Sequence, residues 1–256
     1  MKDSHIIDSG TIVSSVLEPV STSGYCSQCS LVNDCFAAQM KRDFVNNFHL
    51  KTPRTQTLKN NEHLYLMGDK TEALYIVKSG SIKTYINNEM GDEQVMNFHL
   101  PGDLLALNAL ANHEFESSAV ALEYSTLCVL PLADLEQALT TLVPDYIMDL
   151  LMSKLKQQQQ NLAVLGKKDG QKRLAAFLVK ISENFKSAGY SEMHLKLNMS
   201  RQDIGNYLGL ASETVSRLLT KMQHEGVLKL DRRDLTIVDV NHLNELADKE
   251  CLHKKI

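Results

Sequence analysis

Short apolar runs separated by turn residues dominate the chain from about residue 55 to residue 135. The runs are rich in Val, Ile, Leu and Tyr, which favour strands, and glycine, aspartate or proline stands between them. This pattern predicts an antiparallel β-roll or barrel within an α+β protein. The predicted strands cover residues 64–67, 74–78, 82–86, 94–98, 119–121 and 126–130.

A long helical pattern follows the strands. Proline is tolerated in the first turn of a helix, so Pro144 predicts a helix start, and no other proline or glycine occurs before Gly166. Residues at alternating three- and four-residue steps form the heptad stripe of a two-helix coiled coil, which predicts a homodimer. Packing of this stripe on its own domain is the alternative. The stripe consists of Met148, Leu151, Leu155, Gln158, Leu162 and Leu165.

The segment 200–219 has the pattern of a helix–turn–helix. Gly205 is predicted where the second helix approaches closely, Gly209 in the turn, and Ser212 as N-cap of the second helix. The predicted buried positions are Ile204, Leu208, Val215 and Leu218, and the predicted outward positions are Glu213, Ser216 and Arg217. Side chains of the outward types can read base edges, whereas the alternatives are a packing motif or a Glu/Arg pair that stabilises the helix.

Two features extend this DNA-binding interpretation. A helix over 171–187 precedes the motif, and a hairpin of strands 227–231 and 235–238 with a basic tip follows it, which predicts a winged helix–turn–helix. The net charge of −4 is also uneven. Residues 1–165 carry 11 Lys and Arg against 19 Asp and Glu, whereas residues 166–256 carry 16 against 12, so the C-terminal third is suited to approach phosphates.

The expected domain organisation has four parts. These are a cysteine-rich segment (1–40), a β-roll sensor domain (41–143), a dimerisation helix (144–166) and a winged helix–turn–helix domain (167–256). No apolar run reaches the ~20 residues that span a bilayer, and the N-terminus lacks an export-signal pattern, so we expect a cytoplasmic protein with no membrane partner.

The cysteines point to metal chemistry rather than disulfides. Cys26, Cys29 and Cys35 lie within ten residues, and Cys128 lies near the end of the β-roll. Four thiolates can hold a [4Fe–4S] cluster or a tetrahedral zinc, and cysteine chemistry alone does not choose between them. Cys251, in a charged tail, is interpreted as a bystander thiol.

From about residue 60 to residue 240 the chain resembles the CRP/FNR superfamily of transcription regulators. The stretch 203–219, DIGNYLGLASETVSRLL, is similar to the oxygen-sensing fumarate-and-nitrate-reduction regulator (FNR) branch, as are the cysteine spacing and the context LCVLP around Cys128. The resemblance implies a cyclic-nucleotide-binding-like β-roll, a long dimerisation helix and a C-terminal winged helix–turn–helix.

The resemblance also implies roles for individual residues. Glu213, Ser216 and Arg217 would read a TTGAT-type half-site of a palindromic operator, and the backbone or groove would be contacted by Ser200, Arg201, Gln202 and Thr214. The four cysteines would ligate a [4Fe–4S] cluster that supports dimerisation and anaerobic DNA binding until oxygen converts it. Contact with RNA polymerase is implied as well, with loop 87–93 as a candidate.

The sequence fits two other classes of function less well. A cyclic-nucleotide sensor needs a glutamate for the ribose and an arginine for the phosphate, but segment 101–107 has no glutamate and Ser117-Ser118 stands at the arginine position, so no cyclic nucleotide is expected. A cupin-type metalloenzyme needs clustered histidines, and these are scattered, so no enzymatic activity is expected. A regulator with a structural zinc, or one that responds to nitric oxide or another redox signal, remains open.

Overall fold

The computed structural model describes residues 54–133 and 144–248, together with Cys29, Leu31 and Cys35. Most of the cysteine-rich segment, including Cys26, and the tail with Cys251 lie outside the described residues. Within the described ranges no helix is both long and apolar enough to cross a membrane.

The N-terminal described region is a β-roll of two four-stranded antiparallel sheets. One sheet has the strand order β1-β8-β3-β6 and the other β2-β7-β4-β5. The predicted antiparallel roll is therefore confirmed. The strands are β1 (Arg54–Leu58), β2 (His63–Tyr65), β3 (Ala73–Ser79), β4 (Ile82–Asn87), β5 (Glu93–His99), β6 (Leu104–Leu105), β7 (Ser118–Ala121) and β8 (Ser125–Pro131), and a 3-10 helix covers Leu107–Leu110.

The interior of the roll is filled by side chains from both sheets. Buried residues from both sheets, Val77 and Leu127 of the first and Ile82 of the second among them, form one core cluster. The rings of Tyr65 and Phe115 stack within this cluster at a centroid distance of 3.7 Å. Alternate residues supply these side chains along β3, where Tyr75 packs against the cluster beside Val77, and along β7, where Ala119 and Ala121 belong to it.

Two helices connect the roll to the C-terminal region. Helix α1 (Pro144–Leu165) begins at the proline and ends before the glycine, as predicted. Helix α2 (Gly170–Ser187) follows, and its N-terminus is capped by the Asp169 side chain, which accepts a hydrogen bond of 2.9 Å from the backbone N–H of Gln171. The predicted inner face of α2 is confirmed, since Leu174, Phe177, Leu178 and Ile181 are all buried.

The C-terminal region is a winged helix–turn–helix. Its elements are β9 (His194–Lys196), α3 (Arg201–Leu208), α4 (Ser212–His224), β10 (Leu228–Asp231), β11 (Asp234–Ile237) and α5 (Val240–Leu246). Strands β10 and β11 form the predicted hairpin, and β9 pairs with β11 to complete a three-stranded sheet.

The structure corrects the predicted strands in two ways. The predicted strand 64–67 ends at Tyr65, because the Asp69 side chain accepts a hydrogen bond from the N–H of Leu66 and begins a turn, which leaves Leu66 and Met67 exposed. Three strands were not predicted, namely β1, β6 and β9. Strand β1 is largely polar and pairs along one side only, whereas β6 and β9 contain two and three residues, too few to show a period.

The β-roll and the helix–turn–helix share a hydrophobic core. Phe98 of β5 makes edge-to-face contacts with Phe177 of α2 and Tyr207 of α3, at centroid distances of 5.9 and 5.4 Å. Val95 and Leu122 of the roll belong to the same buried cluster as the helices of the C-terminal region. The described parts of the two regions are therefore in direct contact.

Candidate DNA-binding surface and sensor residues

The turn between α3 and α4 is fixed by two glycines. A Cβ atom at Gly205 would lie 2.5 Å from the carbonyl oxygen of Leu210, so no side chain fits there. Gly209 ends α3 with φ of +63°, a conformation that glycine adopts without strain. The close approach predicted at Gly205 is confirmed, and it is made by the turn and the first residue of α4.

The start of α4 differs from the prediction. Ala211 is the N-cap and no side chain caps the helix, whereas Ser212 is the first helical residue. The Ser212 carbonyl instead accepts a hydrogen bond of 3.0 Å from the hydroxyl of Ser216. The N-cap assignment of Ser212 was therefore wrong by one residue, because the tight turn after Gly209 brings the chain into α4 one position earlier.

Helix α4 turns one face inward and one outward. Val215 is fully buried, whereas Leu218, predicted to lie inside, is only partly buried, and Leu219 takes the deeper position. Glu213, Ser216 and Arg217 are all exposed on the outer face. Among the ion pairs of the described residues none joins Glu213 to Arg217, so the reading of this pair as mainly a helix-stabilising contact is not supported.

Around α4 lie the residues predicted to contact the backbone or groove. Ser200 and Gln202 are exposed, while Arg201 and Thr214 are partly buried, and burial lowers the pKa of Arg201. Ser200 is the N-cap of α3, and it forms a reciprocal capping box with Asp203. The N-terminal turn of α3 therefore presents two exposed polar side chains, Ser200 and Gln202.

The wing places two cations at its tip. Arg232 has φ of +57° and, with Arg233, forms the exposed turn between β10 and β11. The carbonyl of Arg233 accepts a hydrogen bond of 2.8 Å from the N–H of Leu197, which anchors the tip to the segment before α3.

The heptad stripe of α1 is exposed. The fractional exposure of its apolar residues ranges from 39% at Leu165 to 68% at Leu162, and Gln158 is exposed too. Met148, Leu151 and Leu155 fall within this range. Packing of the whole stripe on its own domain is thus contradicted, although Leu151 and Gln158 also line a cavity against the roll.

This cavity, of about 490 Å³, lies between the β-roll and α1. Its wall includes His99, Asp103, Glu116, Ser117 and Lys154. The sequence argument against a cyclic nucleotide assumed that no cation was available here, and Lys154 of α1 corrects that assumption. The absence of cyclic-nucleotide binding thus stays a prediction.

His99 is neutral in this environment. Burial lowers its pKa to about 4; Asp103 opposes the shift, and the cations of Lys154 and Lys180 add to it. Its Nε2 atom shares a hydrogen bond of 3.1 Å with the hydroxyl of Thr84. Like His63, whose Nε2 atom shares a hydrogen bond with the hydroxyl of Tyr85, His99 is a hydrogen-bonded residue of the roll.

Three of the four predicted cysteine ligands are among the described residues. Cys35 is buried, and its N–H donates a hydrogen bond to the carbonyl of Leu31. Cys29 is partly buried, and Cys128 is partly buried on β8, between Thr55 of β1 and Ile76 of β3. The described residues contain no group of three or more His, Cys, Asp or Glu side chains arranged to hold a metal. The proposed fourth ligand, Cys26, lies outside them.

Comparison with known proteins places this geometry in a family. A cyclic nucleotide-binding domain model matches residues 55–141, and a Crp-like helix-turn-helix domain model matches residues 172–246. The fumarate and nitrate reduction regulatory protein of Vibrio cholerae is 36% identical over 226 residues, covering 87% of this chain and 90% of that protein. The anaerobic regulatory protein of Aggregatibacter actinomycetemcomitans is 35% identical, covering 87% and 88%.

Among solved structures, FixK2 from Bradyrhizobium japonicum has a TM-score of 0.69 and 26% identity, covering 76% of this chain and 96% of that one. With a roll and a winged helix–turn–helix matched by family models, and relatives above 30% identity along most of their length, the chain belongs to the CRP/FNR family of transcription regulators, in its FNR branch.

Proposed function

We propose that this protein is an oxygen-responsive transcription regulator that binds palindromic TTGAT-type operators as a homodimer when a [4Fe–4S] cluster is present. The observation that carries the DNA-binding part is the exposed outer face of α4, which presents Glu213, Ser216 and Arg217. The exposed wing tip adds two cations, Arg232 and Arg233. The relatives, named as anaerobic and as fumarate and nitrate reduction regulators, support anaerobic regulation.

Base reading follows from the chemistry of the three outward side chains. The guanidinium of Arg217 can donate two parallel hydrogen bonds to guanine, and the carboxylate of Glu213 can accept one from a cytosine amine. The hydroxyl of Ser216 already donates to its own helix, so it is best suited to accept a hydrogen bond from a base. Ser200, Arg201, Gln202 and Thr214 would fix the position of the helix on the backbone and in the groove.

Dimerisation through α1 accounts for the exposed stripe. Apolar side chains repeated at heptad positions and exposed along one helix match the contact face of a parallel coiled coil. In such a two-fold dimer the two copies of α4 would meet half-sites about 34 Å apart, one turn of the duplex. Gln158, a polar residue in the middle of the stripe, would keep this pairing weak enough to be regulated.

The cysteine set fits an iron–sulfur cluster by its donor chemistry. Thiolates are the ligands of such clusters, and Cys29, Cys35 and Cys128 supply three, with Cys26 as the fourth. A bound [4Fe–4S] cluster would supply the oxygen-reactive centre and a covalent link from the N-terminal segment to β8. Cys128 of β8 is paired with residues of both β1 and β3, so a displacement of Cys128 would also move these two neighbouring strands.

RNA polymerase is a further partner in the proposal. The loop after β4 is ordered by Asn88, whose side-chain oxygen accepts hydrogen bonds from the N–H groups of Met90 and Asp92, and it presents Met90 with 90% exposure. We assign this loop to contact with RNA polymerase. No enzymatic role and no cyclic-nucleotide ligand are proposed, and we place the protein in the cytoplasm.

The experiment is anaerobic purification followed by controlled exposure to air. We expect a brown protein with about four irons per chain that bleaches in air, changes from dimer to monomer in sedimentation, and loses affinity for a duplex with two inverted TTGAT half-sites. A colourless protein that contains zinc and ignores air would favour the structural-zinc alternative. An iron protein that keeps its dimer in air but loses it with nitric oxide would favour a different signal.

A further inference from the structure

Lys83, near the start of β4, connects the β-roll to the helix–turn–helix. Its Nζ atom lies 2.7 Å from Oε1 of Glu93 on β5 and 2.8 Å from Oδ1 of Asp203 on α3. Only 11% of the Lys83 side chain and 15% of the Asp203 side chain are exposed. The pair is therefore largely shielded from solvent, where charges interact more strongly than at the surface.

Asp203 belongs to the end of α3 that faces the proposed DNA site. Its Oδ2 atom accepts hydrogen bonds from the N–H and the hydroxyl of Ser200, at 2.9 and 2.6 Å. Ser200 and its neighbours Arg201 and Gln202 are the proposed backbone contacts. A phosphate that approached this turn would thus meet a carboxylate held within the same capping box, and two negative groups at this spacing repel each other.

The charge on Asp203 is balanced by the other domain. Burial alone would raise the pKa of this carboxyl, but the hydrogen bonds from Lys83 and Ser200 hold the pKa below its usual value. Burial would likewise lower the pKa of Lys83, and the hydrogen bonds and charges of Asp203 and Glu93 raise it instead. Both groups are therefore charged at neutral pH, and the ammonium that neutralises Asp203 comes from the β-roll.

The rest of this contact leaves the DNA-facing surface open. The Asn206 side chain accepts a hydrogen bond of 2.6 Å from the N–H of Val95 and donates one of 2.5 Å to the carbonyl of Glu93, so α3 lies along β5. Ser200, Gln202 and the outer face of α4 remain exposed. Because the contact covers none of these residues, it does not act by blocking the operator.

We propose that Lys83 is a positioning residue for operator binding, a counter-ion that the sensor domain supplies to Asp203 so that the first turn of α3 can accept a phosphate. The proposal rests on the proposed DNA-binding function. It assigns part of the operator affinity to a residue of the β-roll that touches no DNA.

The test measures the affinity of full-length, anaerobically purified variants for a duplex with two inverted TTGAT half-sites. Lys83→Gln should bind on the order of tenfold more weakly, within the usual range of coupling between separate sites. Lys59→Gln, at an exposed position of the roll, makes the same charge change and should bind as the unmodified protein does. Equal affinity of Lys83→Gln and Lys59→Gln would overturn the proposal.

The double variant Lys83→Gln/Asp203→Asn separates a charge effect from a loss of structure. Because it removes the carboxylate that Lys83 neutralises, it should recover most of the lost affinity, whereas damage to the roll would not be repaired. Asp203→Asn alone should bind at least as tightly as the unmodified protein. Weaker binding of Asp203→Asn, or no recovery in the double variant, would contradict the proposal even if Lys83→Gln folded poorly.

The salt dependence of operator binding tests the counter-ion role of Lys83 independently. Lys83 is proposed not to touch phosphate, so the slope of log affinity against log salt should be the same for Lys83→Gln and the unmodified protein. A slope reduced by about 1 would make Lys83 a direct phosphate contact and would overturn the counter-ion role. If the unmodified protein does not bind the duplex, the proposed function itself fails; tight binding unaffected by Lys83→Gln would remove this inference alone.

Discussion

The helix–turn–helix and the cysteine set are the two functional regions of this chain, and they are built in opposite ways. The residues proposed to read bases or contact the backbone lie within one continuous stretch, from Ser200 to Arg217, on two helices joined by a tight turn. The proposed cluster ligands reach from Cys26 to Cys128, and the described ones stand on separate parts of the chain. The first region is thus formed by one stretch of chain, whereas in the proposed function a bound cluster would bring the members of the second together.

The largest expected effect concerns the cysteine set. Replacing Cys29 with Ser should abolish anaerobic operator binding, because three thiolates hold the cluster less well than four, while the fold described here is kept. Iron and sulfide content, circular dichroism and operator affinity would be measured on the same anaerobic preparation. Replacing Cys251 with Ser is the matched control and should change none of the three. Full binding by the Cys29 variant would remove the cluster from the mechanism.

The next largest effect concerns the helix–turn–helix. Replacing Gly205 with Ala places a Cβ atom against the carbonyl of Leu210 and should lower the free energy of unfolding by about 3 kcal/mol, the upper part of the usual overpacking range. Denaturant unfolding followed by circular dichroism measures it. Gly166→Ala, where the nearest neighbouring atom is 3.4 Å from the new carbon, is the control. Equal stability of the two variants would mean that the turn adapts freely.

A smaller and more selective effect is expected at the base-reading face. Replacing Arg217 with Ala should weaken the binding free energy for the operator by about 1–3 kcal/mol and relax the preference at one base pair. The reason is that the bidentate hydrogen bonds to guanine are lost. Affinities for the operator and for duplexes changed at single positions would be compared. Uniform weakening on all sequences would instead identify Arg217 as a phosphate contact. The Arg217 variant should keep its iron, because operator recognition and cluster binding use different residues.

The smallest effect concerns His99, which lines the cavity between the β-roll and α1. The pKa of His99 is lowered to about 4 in the folded protein. Below pH 6.5 the imidazole is therefore protonated in the unfolded chain but still neutral in the folded one. The free energy of unfolding consequently decreases as the pH falls from 6.5 towards 4. We expect the loss to be on the order of 1 kcal/mol, because the side chain is partly exposed. Thermal unfolding across this range would measure it, with His99→Gln showing a flatter dependence. Parallel curves for the two proteins would contradict a neutral His99 imidazole in the folded protein.

The contrast between the regions explains what the sequence could predict. Gly205 and Gly209 are local steric requirements, so the helix–turn–helix was located correctly. The cap at Ser212 was misplaced by one residue, and Leu218, predicted to be buried, is only partly buried. Helix α1 was bounded by Pro144 and Gly166 in the same way. By contrast, the ion pair of Lys83 and Asp203 joins residues 120 positions apart, and neither differs locally from an ordinary surface charge. Lys154 in the wall of the cavity was missed for the same reason.

The aromatic contact of Phe98 with Phe177 and Tyr207 bears on how such regulators can diversify. If the sensor domains of two related regulators were exchanged, the packing surface formed by β5 and the turn near Leu122 would have to match the new C-terminal half. The reason is that residues of this surface belong to the hydrophobic core of that half. A chimera joined simply at the linker after α1 would leave apolar side chains facing an unsuited surface. Recombination within this architecture is therefore constrained by a shared interior, even though the two halves are recognised as separate modules.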